Sequence, residues 1–242
     1  MKHIINIIIV LFTQVTFGQS LCRTDIMNGN ELFNENKITD FLMYDFSNLL
    51  LKTENENIYG IIGSANQRFC IKFLKVEKSI ENPKEYLVYG KTNVEREYFE
   101  FAGKIFIEKI QVVKAEKFGV DDELKNTGIK TQGLLTAKYE LFETKSRNSG
   151  VYTGRFESKW FIDKYDKINY NDIDLVSDGY FNNAFVGTRK LYNSKVEKIC
   201  NWGDFRVPSS DCDFDNGTGD FNVSEKYKMN GWWIKPKMNW WQ

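Results

Sequence analysis

Beyond residue 18 the chain contains no histidine, because the single histidine among its 242 residues is His3. That absence excludes, in their usual forms, hydrolases built on a histidine base, histidine-ligated zinc sites and imidazole pH switches. Proline is nearly as scarce, at Pro83, Pro208 and Pro236 only. No Pro/Ser/Gly-rich linker divides the chain, so one domain is expected. Positive charge is not in excess either: 33 Lys and Arg face 33 Asp and Glu, which leaves no electrostatic footprint for nucleic acid. The P-loop, the nucleophile elbow and the dinucleotide glycine pattern are all missing. The apolar run Ile4 to Phe12, broken by Asn6, covers roughly nine residues where a membrane span needs about 20.

What is present begins with that run. Lys2 and His3 precede it, and Thr16-Phe17-Gly18 follows with small residues where a signal peptidase cuts, so residues 1–18 are expected to be a secretory signal. The mature protein would then be exported, to the periplasm, the cell surface or the medium, with no transmembrane segment after cleavage. Leu21 before Cys22 is too bulky for a lipid-acylation signal. Four cysteines, Cys22, Cys70, Cys200 and Cys212, would enter an oxidising compartment, where an even number favours bridges. The expected pairs are Cys200 with Cys212, closing a short loop, and Cys22 with Cys70. The C-x-x-C spacing of a redox-active pair is absent.

With 42% apolar and 15% aromatic residues, the chain has enough material for a sizeable core. Residues 19–57 form an N-terminal segment in which Phe41, Leu42, Phe46, Leu49 and Leu50 recur at a spacing near 3.6, predicting a helix over 38–52. From Ile58 the period changes to two. Phe99, Phe101, Ile105 and Ile107 oppose Glu100, Lys104 and Glu108; Leu135, Ala137, Tyr139 and Leu141 oppose Thr136, Lys138 and Glu140; Tyr152, Phe156, Trp160 and Ile162 oppose Thr153, Arg155, Glu157 and Lys159. Further strand-like runs lie at 69–76, 86–94, 181–192 and 198–207. Eight or more strands joined by short polar turns predict an all-β antiparallel meander over 58–230, closing into a barrel or stacking as a sandwich. A barrel is preferred. Residues 231–242 form a separate Trp/Lys-rich tail.

The strings Tyr59-Gly60-Ile61-Ile62-Gly63, Val88-Tyr89-Gly90-Lys91, Asp178-Gly179-Tyr180-Phe181-Asn182-Asn183, Phe185-Val186-Gly187 and Cys200-Asn201-Trp202-Gly203-Asp204-Phe205-Arg206-Val207-Pro208 resemble those of a family of exported bacterial all-β proteins. The resemblance spans about Asp45 to Trp232. It implies export and a β fold, and it carries no activity with it.

Four segments hold candidate chemistry. Trp202, Asp204 and Arg206 alternate along one strand, where a stacking ring beside an Asp/Arg pair would grip a sugar or polar ligand, or would brace a barrel end. Asp211, Asp213 and Asp215 alternate beside Gly217 and Gly219, a donor set suited to a hard cation such as calcium. Asp174 to Asn182 follows a calcium-loop pattern in part, with Val176 and Phe185 standing where ligands belong. The tail holds four of the six tryptophans, Trp232, Trp233, Trp240 and Trp241, among lysines, a composition suited to a membrane surface, a partner groove or a glycan. Together these features predict an exported, non-catalytic binding or structural protein of the cell envelope, with an unknown glycan or protein partner. The alternatives are a histidine-free carbohydrate hydrolase using paired carboxylates and a partner-binder or inhibitor acting through the tail.

Overall fold

The computed structural model describes residues 26–233 and 239–242. The expected signal segment and Cys22 lie outside the described residues. Nine strands form one sheet: β1 (Ile58–Ile62), β2 (Gln67–Lys78), β3 (Glu85–Val94), β4 (Glu97–Val112), β5 (Thr131–Glu143), β6 (Gly150–Ile162), β7 (Ile168–Tyr170), β8 (Asn182–Leu191) and β9 (Glu197–Asp204). Eight of them close a barrel in chain order, with β9 pairing back onto β1, and every pairing is antiparallel. The short β7 lies beside the end of β6, outside the ring. A closed barrel settles the choice against a sandwich, and it leaves no open edge among the eight strands.

Period-two patterning fills the lumen with side chains. Leu135, Ala137, Tyr139 and Leu141 of β5 and Tyr152, Phe156, Trp160 and Ile162 of β6 are all buried, as their alternation predicts. Phe156 stacks on Phe185 at 4.2 Å, and Phe185 on Trp202 at 4.5 Å with ring planes 12° apart. An eight-stranded barrel is just wide enough for such filling. Gly154 and Gly187 pair across β6 and β8, and a methyl on Gly187 would stand 2.5 Å from the Tyr139 hydroxyl, so no larger residue fits there.

Two bulges adjust the pattern. In β4 the register shifts between Ile107 and Lys109, which lets Ile110 follow Phe101, Ile105 and Ile107 inward. In β2 a shift between Phe73 and Lys75 turns Val76 inward and leaves Leu74 on the surface. The outer face is charged: Glu108 meets Arg155 at 2.7 Å and Lys138 at 3.8 Å, and Lys104 meets Glu85 at 2.9 Å. Among the described residues no helix is long and apolar enough to cross a membrane.

The expected helix over 38–52 is replaced by two four-residue helices, α1 (Ile38–Phe41) and α2 (Asn48–Leu51). Asp45 accepts from the Ser47 N–H at 2.9 Å and its hydroxyl at 2.6 Å, a local turn that competes with helix. The Leu42 and Tyr44 carbonyls accept from Lys78 Nζ, and the Phe46 N–H donates to Tyr86 OH at 3.1 Å. Partners on the barrel thus take bonds that a continuous helix would have used.

Both expected disulfides are corrected by the structure, since Cys70 and Cys200 are free thiols. Alternation along β9 sends Cys200 into the lumen with Trp202, where it is fully buried, while Cys212 sits exposed on an external loop. Cys70 alternates the other way on β2 and stands on the outside of the wall, between the inward Phe69 and Ile71.

Candidate functional site

The two ends of the barrel are closed by different means. At the end where β1, β3, β5 and β8 begin, residues 38–53 enter the mouth as a plug, with Phe46 and Leu49 packed among the lumen residues. At the opposite end Glu143 accepts from Thr92 Oγ1 (2.6 Å), Tyr152 OH (2.7 Å), the Gly150 N–H (2.8 Å) and Arg189 Nη2 (2.6 Å).

The plugged mouth is organised on Asp204, the last residue of β9, which is 4% exposed. Its Oδ2 accepts from Thr53 Oγ1 at 2.6 Å, Asn183 Nδ2 at 2.6 Å and Tyr170 OH at 3.0 Å. Three separate elements supply those donors. Thr53 ends the plug, Tyr170 ends β7, and Asn183 sits in the irregular start of β8, where the register shifts between Asn182 and Phe185. Asn183 adopts a left-handed φ of 48°, which asparagine tolerates better than most residues, and it also donates to the Leu49 carbonyl at 2.7 Å. Lys72 Nζ reaches the Thr53 carbonyl at 3.2 Å. Burial pushes the Asp204 carboxyl up to about 7, against the pull of its three donors and Lys72. Burial likewise holds the Tyr170 and Tyr180 hydroxyls above their ordinary range.

Above this network, between α2 and β7, opens a cleft of about 350 Å³ lined by Asn48, Leu51, Lys52, Phe161, Asn169, Tyr170 and Asp172. Lys52 and Asp172 face each other at 3.9 Å. Two amides, one facing pair of charges and two aromatic rings make a lining that can hydrogen-bond in both senses and stack. The volume falls within the range of small-molecule sites. No family model, curated protein or solved structure matches the chain, so the chemistry of this mouth is read from its own geometry.

The trio anticipated on one strand face is divided. Trp202 and Asp204 do share the inward face, but Trp202 is 1% exposed and packed between rings. Phe205 then takes a left-handed φ of 69°, which ends β9 and swings Arg206 outward. Arg206 bonds the Asp215 carboxylate and the Gly219 carbonyl (2.6 Å).

The alternate aspartates are also separated by their partners. Asp211 Oδ2 accepts from Asn66 at 3.1 Å, Asp213 accepts from Lys226 at 2.8 Å, the single Tyr227 O–H lies between the two carboxylates at 3.0 Å from Asp211 and 2.6 Å from Asp213, and Asp215 Oδ1 accepts from the Gly217 and Asn222 N–H groups. Lys226 and Tyr227 hold the Asp213 carboxyl below its ordinary value. Among the described residues no group of three metal-ligating side chains converges. Residues 172–180 form successive turns, in which Ser177 bonds back to the Asp174 carbonyl through its N–H and hydroxyl.

In the tail, Trp232 packs with Phe214 and Phe221 and under Arg68, and its Nε1 donates to the Asn66 carbonyl at 2.8 Å. Trp233 is 67% exposed.

Sequence reasoning missed Thr53, Tyr170, Asn183, Lys52, Asn169 and Asp172 as site residues. Asn183 closes the conspicuous Asp178-to-Asn183 string. The others carried no local signal, because a threonine, a tyrosine and an aspartate 151 and 34 positions apart meet only once the barrel has closed.

Proposed function

We propose that this protein is an exported binding module, and that its ligand seat is the cleft between α2 and β7. The ligand class that suits the lining is a hydroxyl-rich, near-neutral molecule such as a saccharide. One observation carries the reading: Asn48, Asn169, Lys52 and Asp172 stand beside the Phe161 and Tyr170 rings in a single concave space. Amides and opposite charges bond hydroxyls as donors and acceptors, while rings stack on the apolar faces of sugars.

Binding is favoured over hydrolysis by the placement of the carboxylates. Asp172 lines the cleft, but Asp204 is buried with one oxygen committed to three donors, whereas glycoside cleavage needs two carboxyl groups facing the same bond. A tail-borne partner is less favoured, since Trp232 is already engaged on the protein's own barrel.

The test is a thermal-shift and NMR titration of the mature protein against a glycan panel, repeated with Lys52→Ala and Asn169→Ala. A saturable rise in Tm for one glycan class, lost in both variants, is the expected result. A flat response across the panel overturns the reading.

A further inference from the structure

The plug is held in the mouth by groups that meet at one carboxyl. Thr53, at its end, donates to Asp204 Oδ2, and the Leu49 carbonyl is held by Asn183, whose amide also donates to that oxygen. Beneath the plug lie two small voids of about 10 Å³ each. One lies between Phe46, Leu49 and Leu50 of the plug and Tyr86 and Phe156 of the barrel, and the other includes Leu50, Phe73, Trp202 and Asp204 itself. The plug therefore packs on the lumen through apolar side chains, while its rim is fastened by polar bonds. α1 and α2 have four residues each, too short to be stable without these attachments.

We propose that Asp204 is a proton-dependent latch on the plug: when neutral it holds residues 48–53 in the barrel mouth, and when ionised it releases them.

An ionised carboxylate sealed in this position costs far more than a neutral one, because burial removes its water. Lifting Thr53 and α2 away rehydrates it. In the opened form Asp204 would return toward an ordinary carboxyl value, so opening releases a proton. The opening equilibrium should then rise about tenfold per pH unit between roughly pH 4 and pH 7, and level off above.

The neighbouring charges set the limits of this behaviour. Lys72 on β2, with Nζ on the Thr53 carbonyl, favours the ionised form and moderates the shift; the Glu54 carboxylate in turn favours the charged form of Lys72. Tyr170 and Tyr180 stay protonated across the range. Lys52 and Asp172 face one another in the cleft. Release of the plug would also dismantle the wall formed by Asn48, Leu51 and Lys52. That consequence rests on the cleft being the ligand seat, whereas the latch does not.

Hydrogen exchange of the full mature chain, corrected for intrinsic rates, tests the latch without any ligand. The reporters are the plug amides of Leu49, Leu50 and Lys52, bonded within the segment, compared with Ala137 and Phe156 of the barrel wall. In the wild type, plug protection is expected to fall about tenfold per unit from pH 5 to pH 7, with barrel amides more protected throughout; in Asp204→Asn the plug slope should vanish. Flat plug protection in the wild type overturns the proposal. So does a single protection factor shared by plug and barrel, which would mean that only the whole molecule opens. Should Asp204→Asn fail to fold, Thr53→Val removes one donor and leaves the carboxyl: faster plug exchange at pH 5 with the slope kept supports the latch, and unchanged exchange overturns it. Loss of glycan binding alone would alter none of these readings.

Discussion

Arg189 Nη2 donates to Glu143 Oε2 at 2.6 Å, with the Glu143 side chain wholly inaccessible and that of Arg189 8% exposed. The guanidinium also lies 5.4 Å from the Tyr152 ring and 5.6 Å from Phe99. Two facing ions on β5 and β8 thus close the end of the barrel opposite the plug. Removing one partner strands the other in the lumen, so Arg189→Met is expected to cost about 3–5 kcal/mol in urea denaturation. Combining it with Glu143→Gln should recover part of that loss. An Arg189→Met protein within about 0.5 kcal/mol of wild type would show that the pair carries no such weight.

The whole molecule should feel Asp204 as well as the plug. Its carboxyl stands at about 7 in the fold against about 3.9 in an unfolded chain. Between those values the folded state binds more protons, so stability falls as pH rises through the window, by up to about 1.4 kcal/mol per unit. Asp204→Asn removes the titration. Its effect relative to wild type should therefore be less destabilising at pH 8 than at pH 5, as measured by chemical denaturation at the two pH values. Equal differences at both would show that Asp204 does not titrate between them.

Cysteine chemistry gives a count that can be checked directly. With Cys70 and Cys200 free, Cys22 and Cys212 are the one pair left for a bridge. Thiol titration of the oxidised protein should find two thiols per chain after denaturation. Burial raises the Cys200 thiol well above its ordinary value, so in the native state it should react far more slowly than a free cysteine in solution. Zero thiols in the unfolded, oxidised protein would restore the pairing first expected from spacing.

The tail should prove partly structural. Trp232→Ala removes a ring packed against Phe214 and Phe221 and bonded to Asn66, and should destabilise by about 2 kcal/mol, below the full-core range because the residue is only half buried. Trp233→Ala, at a position 67% exposed, should fall within about 0.5 kcal/mol of wild type. Equal Tm shifts for the two variants would contradict the packing.

The strands and their inward faces were legible because period-two alternation is written locally, as in Leu135 to Leu141 and Tyr152 to Ile162, where inward residues are apolar whatever the partner strand. The helix over 38–52 shows the limit of such reading. Its 3.6 spacing was real, and Leu49 is indeed buried, yet Lys78 and Tyr86 on the barrel took the polar groups of the turn between α1 and α2. Short helical propensity loses to tertiary hydrogen bonds of that kind. The trio Trp202, Asp204 and Arg206 failed for a similarly small reason, a single left-handed residue at Phe205 that alternation cannot foresee.

The amino-acid sequence alone determined the all-β class, the inward faces of the central strands and the lack of histidine beyond residue 18, since each depends only on residue type and on spacing over a few positions. Closure of the ring, the sealing of Asp204 by Thr53, Tyr170 and Asn183, the cleft between α2 and β7 and the separation of Cys200 from Cys212 were decided only by the tertiary structure. They depend on which distant strands meet and in which register. A one-residue shift of register or one bulge reverses the side of the wall on which a side chain stands.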